Sequence, residues 1–184
     1  MKLRYYIFAI LTLTGNFLFA LDYLSQNAVS LFGMKLMDDA RDHLTLEELN
    51  SKIVDGETAD LFYRVPISSK KNANYDNIFV VVNSNYTIHS IVGLKDMYLS
   101  LNECKEKVLK TYVSRFEDKY SITMRKTERV HTSFINHMNQ LDTYEGGAFR
   151  FQCQESFDND HAFWVIFQTP QYRESLERFY DDGF

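Results

Sequence analysis

The chain carries two cysteines, Cys104 and Cys153, and each falls in a different kind of hydrophobic repeat. Around Cys104 the residues Leu101, Cys104, Val108, Tyr112 and Phe116 recur at helical i, i+3, i+4 steps, widened by Leu109, Val113 and Tyr120. Ser100-Leu101-Asn102-Glu103 reads as a capping box that starts this helix, which should run to about Lys119. Around Cys153 the pattern changes to alternation. Phe149, Phe151 and Cys153 share one strand face, and Arg150, Gln152 and Gln154 share the other. A bond between the two thiols would pin a long helix onto a sheet. It would close a loop of about 50 residues, worth roughly 4 kcal/mol on a chain-entropy account.

Pairing of the thiols requires an oxidising compartment, and the amino terminus speaks to that. Met1-Lys2-Leu3-Arg4 is a short basic head. An apolar run follows from Tyr5 to Leu13, then Gly15 and Asn16, then Leu18-Phe19-Ala20. This is the pattern of a secretory signal peptide cut after Ala20, and the run is too short and too interrupted for a bilayer anchor. The expectation is a signal peptide over 1–20 and a single exported domain over 21–184, periplasmic or extracellular. No membrane span is expected after signal removal. Possible lobes are 21–98 and 99–184. No C-x-x-C pair suggests redox catalysis, and no histidine sits beside either cysteine to suggest structural zinc.

Charge narrows the partners. Removing Lys2 and Arg4 leaves 18 basic residues against 25 acidic, a formal net charge of -7. A nucleic-acid partner is therefore not expected, because such binders need a basic face. Lys105, Lys107 and Lys110 read as a solvated helix face, and Arg125, Lys126 and Arg129 as a solvated loop.

Along the chain, Leu36, Met37, Ala40 and Leu44 have helical spacing, and Thr45-Leu46-Glu47-Glu48 is a second capping box, with Leu46, Leu49 and Ile53 on one face. Strands are expected over 60–67, where Pro66 should sit at an end or edge, and over 78–82. Residues 86–92 return as a hairpin partner across Asn83-Ser84-Asn85. Residues 121–127 form a possible strand, and 128–145 permit a helix or a loop. Strands follow over 149–154 and 162–168, the latter apolar enough to be central and buried on both faces. Thr169-Pro170 opens a last helix with Tyr172, Leu176 and Phe179 inward and a Glu174–Arg178 pair. The expected fold class is α+β: helices packed on antiparallel β-meanders, possibly two similar α-βββ halves, plus a C-terminal helix. This element order is loosely similar to that of small exported modules such as β-lactamase-inhibitor proteins and an outer-membrane assembly lipoprotein family. No motif carries that likeness, and fold alone does not assign function.

No catalytic, cofactor or metal site is expected. Gly-x-Ser-x-Gly and H-E-x-x-H are absent, the seven glycines are scattered, and His43, His89, His131, His137 and His161 read as separate surface or loop residues. Asp158-Asn159-Asp160 reads as a turn rather than a calcium loop. What stands out is ring content, 15% Phe, Trp and Tyr, with Tyr75, Tyr86, Tyr144 and Tyr172 as the rings expected at the surface. The functional expectation is a non-enzymatic module that binds a protein or envelope component through a sheet face or an aromatic hairpin. The alternative is an exported hydrolase whose acid and His residues meet only in space.

Overall fold

A computed structural model describes residues 24–56, 61–68, 74–97, 100–131, 134–156 and 161–181. The expected signal peptide and the Asp158–Asp160 turn lie outside these residues. A small hairpin joins β1 (Ser30–Leu31) to β2 (Met34–Lys35). The body is one eight-stranded antiparallel sheet. Its strands are β3 (Ile53–Val54), β4 (Tyr63–Ile67), β5 (Asn77–Val82), β6 (Ile88–Met97), β7 (Arg125–Val130), β8 (Phe134–Asp142), β9 (Ala148–Ser156) and β10 (His161–Gln168). They lie in the order β3-β4-β5-β6-β10-β9-β8-β7. Each half of the chain thus supplies four consecutive strands. The two last strands, β6 and β10, pair at the centre along their whole common length, from His161↔Met97 to Gln168↔Ser90.

Helices are few. The helix α1 (Leu46–Asn50) starts at the Thr45–Glu48 capping box. The main helix α2 spans residues 101–120 and starts at the Ser100–Glu103 capping box. Its stretch Cys104–Leu109 is π-helical, and Lys110–Tyr120 is α-helical. The last helix, α3 (Pro170–Asp181), follows Thr169, whose hydroxyl accepts from the Tyr172 amide.

The helix and strand repeats around the two cysteines meet as their periods require. One face of α2 lies on one face of β9 and β10, with the Cys104 and Cys153 sulfurs at bonding distance and their Cα atoms 6.1 Å apart. Behind the disulfide, Tyr112 packs on Phe163 at 4.8 Å between ring centroids, and Phe116 packs on Phe151 at 5.2 Å. Phe149 and Phe167 close the cluster at 4.7 Å. Residues 29–49 extend the same layer over β4–β6 through Val29, Met34, Leu36, Ala40, Leu44 and Leu49. The sheet thus has one face covered over its middle strands, while the edge strands β3 and β7 stay largely exposed. Its other face holds only α3 and a second small cluster, Phe62, Val81 and Tyr172, with Phe79 and Leu176 against it.

Four expectations are corrected. The α+β class with two α-βββ halves gives way to a β-rich fold: among the described residues, one eight-stranded antiparallel sheet, a two-stranded one, one main helix and a short C-terminal helix. Residues 35–44 are not a helix: Met37 takes a left-handed φ of 71°, and only the 3-10 turn Ala40–Asp42 follows. Ile53 leaves the α1 face to pair in β3, and Leu46 is 79% exposed. Residues 134–142, where a helix or loop was expected, form β8. Its burial alternates through Asn136, Met138 and Gln140, but two of these are polar while the apolar Ile135 and Leu141 point the other way, so its apolar residues carry no period of two. Pro66 sits where the sequence places it in function if not in name. It is the last residue but one of β4 and lies beyond the two pairs that β3 makes, Ile53↔Arg64 and Val54↔Tyr63.

Candidate functional site

Alternation along β8, β9, β10 and β7 sends a second set of side chains to the face opposite α2. From β9 come Arg150, Gln152 and Gln154; from β10, Trp164, Ile166 and Gln168; from β8, Phe134, Asn136 and Met138; from β7, Arg129. On the far side stand Phe79 and Val92, with Tyr172, Arg173 and Leu176 of α3 above them. Together these walls enclose a cleft of about 690 Å³ between the sheet and α3. That size suits a small organic molecule.

The N-terminal end of α3 is firmly tied. The Tyr172 hydroxyl donates to buried Asp55 at 2.8 Å, and Arg64 reaches the other Asp55 oxygen at 3.2 Å. His89 Nδ1 meets the Thr169 hydroxyl at 3.0 Å, and Phe62 stacks edge-on against both His89 and Tyr172. Further along, Arg173 bonds Asp142 at 2.8 Å and Glu177 at 3.0 Å.

The charges lining the cleft are lopsided. Four arginines (Arg64, Arg129, Arg150 and Arg173) face one glutamate, Glu177, in a chain whose formal net charge is -5. Arg64 and Arg173 have carboxylate partners. Arg150 has none among the described residues: its Nε donates to Gln140 Oε1 at 3.2 Å, and Gln140 Nε2 in turn donates to Asp142 at 2.7 Å. Burial first, then repulsion from Arg129 and Arg173, pulls the Arg150 guanidinium down to about 10. It stays charged at neutral pH, so burial and repulsion act as a standing cost at this position. Two neighbouring side chains are unsatisfied: Trp164 Nε1 and Gln152 Oε1 are buried with no hydrogen-bond partner among the described residues. Gln152 uses its amide nitrogen on Asn136 at 3.3 Å, which turns its oxygen away as a spare acceptor. Trp164 lies directly across from Gln152, and Arg150 is two positions along the same face. Such cross-strand neighbours stand about 5 Å apart, and diagonal ones about 7–8 Å. His131 at the rim is held below its usual value by burial, then by Arg129 and Arg150.

The rings singled out from the sequence are not gathered into a patch. Tyr75 is buried (6% exposed) edge-on to Phe32, and burial raises its phenol above the usual range. Tyr172 is buried (4% exposed) at the foot of α3. Tyr86 is half-buried in the hairpin turn, where Lys52 Nζ lies 4.8 Å from its ring centre and Arg41 5.5 Å. Only Tyr144 is open to solvent, at 82%, on the β8–β9 turn. The rings that line the recess are Trp164, Phe79, Phe134 and, alone of the four singled out, Tyr172. The recess was half visible in the sequence: the polar alternation Arg150-Gln152-Gln154 marked its floor. Its β8 wall was hidden because 128–145 gave no strand period. Of the histidines, His89 is buried rather than at the surface. Among the described residues no group of three or more His, Cys, Asp or Glu side chains is placed to hold a metal ion. Nor is any helix among them long and apolar enough to cross a membrane.

No protein-family model, curated protein or solved structure matches the chain. The loose likeness of element order to small exported modules therefore gains no support, and the cleft is the feature on which function has to be argued.

Proposed function

We propose that this chain is an exported, non-enzymatic binding protein that holds a component of its surroundings in the cleft between the sheet and α3. The observation that carries this reading is a pair of buried atoms without partners among the described residues, Gln152 Oε1 and Trp164 Nε1, near an Arg150 guanidinium that has no carboxylate against it, all set among apolar side chains. Buried polar groups normally find partners, and their desolvation is costly when they do not. A ligand that supplies those partners binds in preference to water. The lining favours holding over cleaving. Hydrolysis by an acid and base needs two groups free to exchange protons, and the one carboxylate in the lining, Glu177, is bound to Arg173. Of the two surfaces anticipated, the sheet face is preferred to the aromatic hairpin, because Tyr86 is already engaged by Lys52. Export is supported by the signal-like amino terminus together with the Cys104–Cys153 pair.

The test uses the chain's single tryptophan, which lies in the cleft. An extract of small molecules and lipids from the source cell's envelope is added to the purified protein. Trp164 emission should change, and amides of α3 and β8 should gain protection from hydrogen exchange. Protection confined to the Tyr86 hairpin or to the Tyr144 turn, with Trp164 silent, overturns the assignment of the site.

A further inference from the structure

Resting on that reading, we propose that the ligand is an organic carboxylate with an adjacent N–H or O–H donor and an apolar tail, as in an N-acyl amino acid. Each part of this description answers an atom in the cleft. Arg150 presents a guanidinium with no carboxylate against it among the described residues, and its Nε bond to Gln140 fixes the plane of the fork. A planar carboxylate meets such a fork with two parallel bonds. Trp164 Nε1 is a second donor without a partner. An indole N–H can only donate, so it also calls for an acceptor. Gln152 Oε1 has the opposite need: it is an acceptor that must receive a hydrogen. A simple anion satisfies the first two and leaves the third orphaned. A carboxylate with a neighbouring amide N–H or hydroxyl satisfies all three from one face of the sheet.

The remaining walls describe the tail. Phe79, Val92, Phe134, Met138, Ile166 and Leu176 supply apolar surface on both sides of the polar group. An uncharged sugar would leave that surface wet, and a bare inorganic anion would leave most of the 690 Å³ unfilled. The cation balance selects against a positively charged head: neither Arg129 nor Arg150 has a carboxylate partner among the described residues, and Arg129 and Arg173 both repel the Arg150 guanidinium.

Three probes of one length separate the claims: N-decanoylglycine, its uncharged glycinamide, and decanoyloxyacetate, in which an ester oxygen replaces the amide N–H. Binding is read by Trp164 emission and by calorimetry. The carboxylate should bind about tenfold or more tighter than the glycinamide, and about fivefold tighter than the ester. Arg150→Gln should erase the first preference and Gln152→Leu the second. The probe comparison on the unaltered chain stands even if a variant fails to fold. Equal binding of carboxylate and glycinamide overturns the ligand class while leaving a binding cleft in place. So does silence toward all three probes when the envelope extract still changes Trp164. Silence of Trp164 toward probes and extract alike overturns both readings.

Discussion

At Gly93 and Gly147 the fold leaves no room for a side chain, but the two obstructions differ. A Cβ at Gly93 would stand 2.7 Å from the tip of the Phe32 ring and 2.9 Å from the Tyr75 ring, both movable side chains. At Gly147 it would stand 2.3 Å from the backbone carbonyl of Gln168, which belongs to the end of β10. Gly93→Ala should therefore cost about 1–3 kcal/mol, the usual range for overpacking, and Gly147→Ala more than that. Thermal unfolding of the two variants measures the order; a less damaging Gly147→Ala would contradict the geometry. His89 supports a prediction in pH. The Asn83 side-chain oxygen accepts from the amides of Asn85 and Thr87, which leaves its NH2 facing His89 Nε2 at 3.3 Å. Nε2 must then accept, Nδ1–H donates to Thr169, and a second proton would set donor against donor. Burial accordingly holds His89 below the ordinary histidine value, as it does for His131. The unfolded chain binds these protons more readily. Stability should thus be full above about pH 6.5 and decline as pH falls from there toward the folded values. His89→Gln should flatten part of that slope in denaturant titrations from pH 7.5 to 5.5, and an unchanged slope would remove His89 from the account.

At the level of elements, two attachments do most of the positioning. The disulfide fastens the first turns of α2 to β9, across a separation of 49 residues. Cys104→Ser and Cys153→Ser should each lower stability by about 4 kcal/mol and by the same amount, since either removes the one crosslink. Unequal losses would mean that burial of a serine, not loss of the loop constraint, sets the effect. The second attachment is Tyr172 to Asp55. Tyr172→Phe keeps the ring against Phe62 but withdraws a donor from a buried carboxylate, at a cost of about 1–3 kcal/mol. Hydrogen exchange should show α3 loosened while α2 keeps its protection. Both attachments trace to patterns readable in the chain, to different depths. The helical stripe of α2 and the alternation of β9 are periods within single elements, so Cys104 and Cys153 were expected to face one another. Tyr172 reads both as an inward residue of α3 and as a surface ring; it is buried, and its partner Asp55 lies 117 positions away, with no local period to link them. The same limit explains β8. Its buried positions alternate, but Asn136 and Gln140 among them are polar, so the two-residue hydrophobic signal is lost and only the pairing with β7 and β9 reveals the strand. Residues 35–44 fail in the other direction. Their helical spacing is real, but Met37 turns left-handed so that its amide bonds the Ile88 carbonyl at 2.8 Å and the segment lies across β6.

For the molecule as a whole the decisive contact is the β6·β10 seam. Each half contributes a meander of neighbours in sequence, which are the pairings that form most readily. The seam joins residues 64–78 positions apart along eight consecutive pairs, from His161↔Met97 to Gln168↔Ser90, and it carries no covalent link. If the seam is as well packed as the hairpins, neither meander has a stable edge without the other, and the sheet melts as one. Its core side supports this: Phe163, Val165 and Phe167 of β10 belong to the same buried cluster as Val80, Ile88 and Ile91 of the first half. The cleft depends on the seam as well, since Phe79 and Val92 lie on one side of it and Gln152 and Arg150 on the other. Trp164 sits on β10, within the seam, opposite Leu94. Its emission therefore reports the junction, whereas far-ultraviolet circular dichroism reports all strands together. In urea, with the disulfide intact, the two signals should lose their native values in one coincident transition. A Trp164 transition that precedes the loss of strand signal would mean that the halves part before they unfold. The cleft would then open by separation of two autonomous meanders rather than by movement of α3.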